Sequence, residues 1–306
     1  MIQDQAVVEN CESGHRLSLI VPCYNQEQLI GDTLESLNAI DPANRGSVEV
    51  VVVNDGSQDN SQAVIEEHVG NPTGHTWRVI HQNNGGVSDA RNTALAATTG
   101  NWIMFLDGDD LLLSDPVPHL KQHPEATCLG FSIERFSSRS RKRMSPPLVQ
   151  GRQELFDCLT AASPFFTNSL VFRKSCVSEP FDSSLRYLED WKFWFQNAAI
   201  FDSMVFVDQV LSLYRVHEGN RTSDFAKTGV SRRQIAQHIL QSSEEYQLTA
   251  KQKNNARLQD AIGAVLDGPS NHWKAFFAFP CSPVLMAKFY VYFLLRGNVG
   301  VIHPFG

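Results

Sequence analysis

The sequence predicts an α/β fold: a mostly parallel sheet flanked by helices, followed by a helical C-terminal extension. Three observations carry that expectation. Strand-like runs alternate with amphipathic helical segments three times before a fourth strand, an order that right-handed crossovers build into a parallel sheet. The runs LSLIVPC, VEVVVV and WIMF are close to continuously apolar, as strands covered on both faces must be. Each run ends in a polar stretch containing Gly, Asn or Asp, so these stretches share one sheet edge, where open α/β sheets bind ligands.

The elements follow in order. Residues 1–15 are polar and read as a loose lead-in. Leu17 to Cys23 is the first strand. Leu29, Ile30, Leu34 and Leu37 recur at helical spacing within Gln26 to Ala39. Asp41 to Ser47 is a Pro/Gly turn. Val48 to Val53 is the most β-rich run and should be a central strand. Asp59 caps a helix that runs to about Val69. Trp77 to His81 is the third strand, and Asn83 to Gly86 a turn. Val87 to Thr98 is a helix with Gly100 as its stop.

Beyond the strand that starts at Trp102 the alternation breaks down. A short helix is expected over Pro116 to His123 and a strand over Ala126 to Phe136. Ser137 to Gln150 reads as a polar loop, residues 152–162 as a helix and Leu170 to Arg173 as a brief strand. Leu188 to Ile200 is a helix with Trp191, Trp194, Phe195 and Ala198 on one face. Met204 to Tyr214 is a strand and His217 to Asp224 a polar loop. Ala226 to Leu266 is polar and helical, and Trp273 to Leu295 is strongly apolar.

Composition narrows the function classes. A chain of 306 residues, 42% hydrophobic and 19% charged, suits one large or two smaller globular domains. The net charge of −7 argues against a nucleic-acid binder. The six cysteines are scattered with no metal-ligand spacing, so reduced thiols in a cytoplasmic protein are expected. No apolar h-region opens the chain, and no apolar run reaches the roughly 18–20 residues that span a bilayer.

The chemistry concentrates at the polar strand ends. Asp107, Asp109 and Asp110 follow the fourth strand, and like charges this close repel. A divalent cation such as Mg²⁺ or Mn²⁺ relieves that repulsion through oxygen ligands; a solvated acidic turn is the plain alternative. Tyr24, after Pro22, offers an aromatic wall for a nucleobase or packs in a Pro-stiffened turn. The Asp55 carboxylate can accept a uracil or thymine imide N–H. Asn84, Gly85 and Gly86 open a helix whose N-terminus suits an anion. Arg91 on that helix either serves the nucleotide or pairs with a sheet-edge Asp. Glu189 and Asp190 supply a candidate base, or merely an acidic helix start. Arg135 to Arg143 holds five cations, set for an anionic acceptor, lipid headgroups or solvent.

In order along the chain, VPCYNQE, VVNDGSQDNS, NNGGVSDARN, FLDGDD, LED and YRVHEGNRT resemble the motifs of the family 2 glycosyltransferases of the GT-A fold. The resemblance covers roughly residues 16–222. It implies a Rossmann-like, nucleotide-diphospho-sugar transferase domain over residues 16–225, with donor-binding residues 16–115 and acceptor-binding residues 116–225. Residues 226–306 would form a C-terminal helical region. The activity implied is inverting, metal-dependent transfer of a monosaccharide from a nucleoside-diphosphate sugar, expected to be UDP-linked, to a hydroxyl of a glycan or lipid-linked glycan.

The resemblance also distributes roles. Pro22, Tyr24, Asn25 and Glu27 are expected around the donor nucleotide, with Asp55, Asn84, Arg91 and Asp107, the last near the ribose. Asp109 and His217 are expected to hold Mn²⁺ or Mg²⁺, and Asp190 to act as the base. Glu189, Trp191, Arg215 and Arg221 are expected near the diphosphate or the acceptor. Two rivals stand beside this reading. A sugar-1-phosphate nucleotidyltransferase has a similar sheet but a Gly-rich, Arg- and Lys-containing first loop, unlike VPCYNQE. An inactive nucleotide- or glycan-binding scaffold would have lost the acidic residues, and all are present. The apolar C-terminal stretch suits a membrane-surface contact, a second subunit or the chain's own catalytic domain.

Overall fold

The computed structural model describes residues 16–70, 74–137, 140–217 and 228–266. Its first half builds the sheet the sequence predicts. Strand β1 (Leu17–Cys23) lies between β2 (Val48–Asn54) and β4 (Trp102–Phe105), parallel to both, and β3 (Thr76–His81) adds to β2 in parallel. Every residue of β1, β2 and β4 is buried, because helices cover both faces. Helices α1 (Ile30–Ser36) and α3 (Ser61–Val69) bury Ile30, Leu34 and Ile65 against one face; a short helix α2 (Pro42–Arg45) lies between them in sequence. Helix α4 (Val87–Ala97) buries Ala90, Ala94 and Leu95 against the other.

The second half is mixed rather than parallel. Strand β8 (Leu170–Arg173) runs antiparallel between β4 and β6 (Cys128–Ser137). Strand β9 (Met204–Arg215) is parallel to β6, and the short β5 (Leu111–Leu112) pairs antiparallel with β9. Strand β7 (Ser140–Met144) hairpins back on β6, so the described residues form one nine-stranded sheet. Helix α5 (Val117–Gln122) leads into β6. Helices α6 (Arg152–Ala161) and α7 (Glu189–Gln196) pack with the hairpin of α8 (Thr228–Gln241) and α9 (Ala250–Leu266). Ile235, Ile239 and Ala256 of that hairpin share a core with Trp194 and Phe195 of α7.

Several expectations are corrected. The first helix starts at Ile30, not Gln26, because the N–H groups of Gln26 and Glu27 donate to Ser61 Oγ and Asp59 Oδ2. The turn at Asp41 to Ser47 contains α2, capped by the Asp41 side chain. The polar loop from Ser137 contains β7, whose SRKRM sequence has no apolar alternation to announce it. Gly100 is not a helix stop: Thr98 is already extended, and a Cβ on Gly100 would lie 2.4 Å from Ser18 Oγ and 2.7 Å from the Arg16 carbonyl oxygen. The helix from Leu188 breaks after Gln196, where the Asn197 amide donates to the Phe193 and Glu179 carbonyls. The lead-in and the apolar stretch from Trp273 to Leu295 lie outside the described residues. No helix among the described residues is long and apolar enough to cross a membrane.

Candidate active site

The acidic end of β4 runs tight beneath the loop after β1. A Cβ on Gly108 would sit 2.3 Å from Gln26 Oε1 and 3.0 Å from the Pro22 carbonyl oxygen. Thr33 Oγ1 donates to the Gly108 carbonyl at 2.8 Å and holds the strand end there. The three carboxylates then diverge. Asp107 accepts from Arg91 Nη2 at 2.7 Å, and Asp109 Oδ2 lies 2.9 Å from His217 Nε2. Asp110 is buried, accepting from Asn168 Nδ2 at 2.8 Å and from the Arg215 backbone N–H at 2.9 Å. Burial raises the Asp110 pKa well above the usual carboxylate range, and repulsion from Asp109 and Asp107 adds to it. Burial and then Asp107 raise Asp109 as well, while His217 opposes the shift.

That donor set fits a divalent cation. A carboxylate and an imidazole converge, next to carboxylates whose mutual repulsion a cation relieves. Among the described residues no three His, Cys, Asp or Glu side chains converge on one position. Asp109 and His217 are the residues that would hold such an ion.

Three loops frame the side where the donor is expected. Tyr24 follows β1 and is 44% exposed. Asn25 takes a left-handed conformation (φ 50°); its N–H donates to Ser57 Oγ at 3.0 Å and its Oδ1 accepts from the Gln58 N–H at 2.8 Å. The loops after β1 and β2 are thereby locked, with the Tyr24 ring on their outside. Asp55 is nearly fully buried. Its carboxylate accepts from Gln82 Nε2 (2.7 Å) and from the N–H groups of Gly85 (2.9 Å) and Gly86 (2.8 Å). Asn84 Nδ2 donates to the Asp55 carbonyl at 3.0 Å.

Some predicted donor residues are frame rather than surface. Pro22 is buried within the β1–β2 ladder. Glu27 accepts from the Asn60 N–H at 2.9 Å and so holds the start of α3. Asp55 organises the turn before α4 with both its oxygens. Arg91 is 2% exposed and directed at two carboxylates. A buried guanidinium needs carboxylate partners, and it takes Asp107 and, through Nη1 at 2.9 Å, Glu189.

The candidate base stands at the start of α7. Leu188 is left-handed (φ 59°), which turns the chain so that Glu189 faces inward to Arg91 while Asp190 stays partly open. Asp190 Oδ1 accepts from the Trp191 N–H at 2.8 Å, and the Ser163 hydroxyl donates to Oδ2 at 3.5 Å. Burial, reinforced by Glu189 and opposed by Arg91, pushes the Asp190 pKa up to about 7. Trp191 does not line an acceptor site. It is 1% exposed and its Nε1 donates to the Leu159 carbonyl at 2.6 Å, a core position. The Arg215 guanidinium pairs with Asp32 at 3.2 Å. Arg221 lies outside the described residues. Sequence reasoning missed Asn168 and Ser163, isolated polar residues without a motif. Asp110 was visible in the sequence, but its role as an anchor for β9 was not.

A family model described as glycosyl transferase family 2 matches residues 18–177, more than half of the chain. The chain belongs to glycosyl transferase family 2. Among its relatives, the uncharacterized glycosyltransferase EpsJ of Bacillus subtilis is 30% identical over 220 residues, covering 67% of this chain and 62% of EpsJ. The putative glycosyltransferase EpsH of the same organism is 28% identical over 219 residues, covering 66% and 61%. The chain thus spans about 60% of the length of these relatives. Among solved structures, S. aureus TarS 1–349 in complex with UDP superposes with a TM-score of 0.56 at 21% identity, over 80% of this chain and 70% of that one. The mannosyltransferase PcManGT of Pyrobaculum calidifontis, in complex with GDP-Man and Mn²⁺, gives 0.54 at 17% identity, over 93% and 81%. The fold is GT-A.

Proposed function

We propose that this glycosyltransferase is an inverting, divalent-cation-dependent enzyme that moves a monosaccharide from a UDP-sugar to a hydroxyl of a glycan or lipid-linked glycan. The observation that carries the proposal is the placement of two carboxylates of different character. Asp109, paired with His217, lies at the end of β4; Asp190 lies at the start of α7, and Arg91 joins the two elements. One carboxylate serves the leaving group and the other the incoming hydroxyl.

In this reading the Tyr24 ring covers the nucleobase. Asp55 reads the uracil imide by exchanging its bond from the Gln82 amide, the one side-chain donor among its partners. Asp107 faces the ribose with the oxygen that Arg91 leaves open. Asp109 and His217 would hold Mn²⁺ or Mg²⁺, which when bound supplies Lewis-acid stabilisation of the departing diphosphate. Asp190 takes the proton of the acceptor hydroxyl as that oxygen attacks the anomeric carbon opposite the leaving group. A pKa near neutrality suits a general base. The ligands of TarS and PcManGT support a nucleotide-sugar donor and a divalent cation.

The test is nucleotide release from a panel of UDP-, GDP- and dTDP-sugars with and without Mn²⁺, together with nucleotide binding. Cation-dependent UDP release that is lost in Asp109→Ala and in Asp190→Asn is expected. Cation-independent binding to every nucleotide without release would support the scaffold reading instead. Retained turnover in Asp190→Asn would exclude Asp190 as the base.

A further inference from the structure

We propose that the β6–β7 hairpin carries an anion subsite for the acceptor, in which Arg135 and Lys142 hold a phosphate or carboxylate on the acceptor chain. The proposal rests on the reading of Asp190 as the residue that activates the acceptor. It begins from an imbalance. The chain is acidic, with a net charge of −7, yet Arg135, Arg141, Lys142 and Arg143 all stand on this one hairpin. Two of them are neutralised within the protein, Arg141 by Glu134 and Arg143 by Asp208. The other two are not. Arg135 and Lys142 are exposed and directly opposite one another in the antiparallel register. Neither side chain has an ion pair or hydrogen bond among the described residues. Like charges in that arrangement cost stability, and a bound anion removes the cost.

A chain of contacts connects the row to Asp190. Register places Tyr214 of β9 beside Arg135, so Lys142, Arg135 and Tyr214 share one face across three strands. The Tyr214 ring lies 5.9 Å from Phe166. Three residues before Phe166 stands Ser163, whose hydroxyl donates to Asp190. An extended span of that length covers about 10 Å, and two steps between strands add about 10 Å more. With the 5.9 Å between the rings and the 3.5 Å from Ser163 to Asp190 included, the cations lie at most roughly 25–30 Å from the base along this path, several sugar units along an acceptor, with two aromatic rings between.

A membrane surface fits the hairpin less well. Phe136 is the exposed apolar residue there, but it neighbours Arg135 in a strand and so points to the opposite face. Among the described residues, no face of the hairpin combines the unpaired cations with Phe136, as interfacial insertion would need.

The experiment measures binding of maltotriose, maltotriose phosphate and tri-galacturonate to the full chain by calorimetry, beside binding of UDP with Mn²⁺. The anionic probes should bind more tightly than maltotriose. The double variant Arg135→Ala/Lys142→Ala should weaken them on the order of tenfold, with a urea midpoint no lower than that of the wild type. Arg141→Ala, already paired to Glu134, should leave them unaffected, and UDP affinity should be the same in all. The anionic probe that loses more identifies the group recognised. Equal binding of all three probes, or wild-type binding by the double variant, would overturn the proposal. A matching loss of UDP affinity would reassign the row to the donor. A loss confined to phosphatidylglycerol vesicles would reassign it to a membrane. Absence of UDP binding in every variant, with anion binding still dependent on Arg135 and Lys142, would sink the transferase reading and leave the subsite standing.

Discussion

The guanidinium of Arg91 joins Asp107 to Glu189, at 2.7 and 2.9 Å, in a buried bridge between the end of β4 and the start of α7. Phe105 and Phe181 flank it, with their ring centroids 5.7 and 5.3 Å from its central carbon. Burial works against the charge, but the two carboxylates outweigh it and hold the guanidinium protonated. One side chain of α4 thus fixes the residue expected at the donor ribose and the helix that carries the candidate base.

Breaking this bridge should be costly, because it strands buried charge. Arg91→Met is expected to destabilise the fold by about 3 kcal/mol in urea unfolding. Arg91→Lys should recover only part of that, since an ammonium lacks the planar fork that serves both partners. A loss of under about 1 kcal/mol for Arg91→Met would mean that the bridge contributes no more than a surface pair.

Asp190 should give the activity a pH profile. Only the carboxylate accepts a proton, so kcat/KM should rise with pH and level off above about 7. Asp190→Asn should remove that rise and lower turnover by about 10²–10⁴-fold. Stability should move the opposite way. The folded pKa lies above the ordinary carboxylate value of 3.8, so the folded state binds the proton more tightly than the unfolded chain. Stability is then lost as pH rises between those values. Asp190→Asn should accordingly melt higher than the wild type at pH 8 (on the order of a few degrees) and close to it at pH 4. A lower melting temperature at pH 8 would contradict this placement of the carboxylate.

The Asp109–His217 pair predicts where cation dependence resides. Thermal stabilisation by UDP plus Mn²⁺ should disappear on chelation with EDTA, and likewise in Asp109→Ala. His217→Ala should weaken the apparent Mn²⁺ affinity about 10- to 100-fold without lowering the melting temperature of the free protein. Unchanged Mn²⁺ dependence in both variants would place the cation elsewhere.

Far from the site, Glu49 holds the β2–β4 side of the sheet. Burial alone would raise its pKa, but hydrogen bonds from the Ser18 hydroxyl and from Thr99 and Gly100 outweigh it and bring it below the usual value. Stability from this group is present above the ordinary pKa of 4.5 and is lost as pH falls through the lowered one. Glu49→Gln should flatten that part of the acid-unfolding curve. Gly100→Ala, which drives a methyl into Ser18 and the Arg16 carbonyl, should cost about 1–3 kcal/mol. Normal stability of Gly100→Ala would show that the backbone there relaxes freely.

The first half of the fold was legible because its strands are buried on both faces and bounded by turn residues. Both signals are local: VEVVVV and WIMF declare themselves without knowledge of their neighbours. Strand β7 was not legible, since SRKRM is held by its ladder to β6 and carries no apolar face of its own. Trp191 shows the converse. An aromatic beside a candidate base reads as an acceptor platform until the packing of α7 on α6 buries it.

From its own residues and their resemblance to a family, the sequence determined the class of protein: an α/β member of glycosyl transferase family 2 with its polar strand ends along one sheet edge. Those features are spelled in short contiguous motifs, and local spacing suffices to read them. Only the tertiary structure decided which of those charges are spent inside the protein and which stay open. Glu27 and Arg91 are held by hydrogen bonds to distant loops, whereas Tyr24 is exposed and Asp109 and Asp190 are only partly buried. The physical reason is that the cost of burying a charge depends on partners brought close by folding, here from as far as 98 residues along the chain between Arg91 and Glu189.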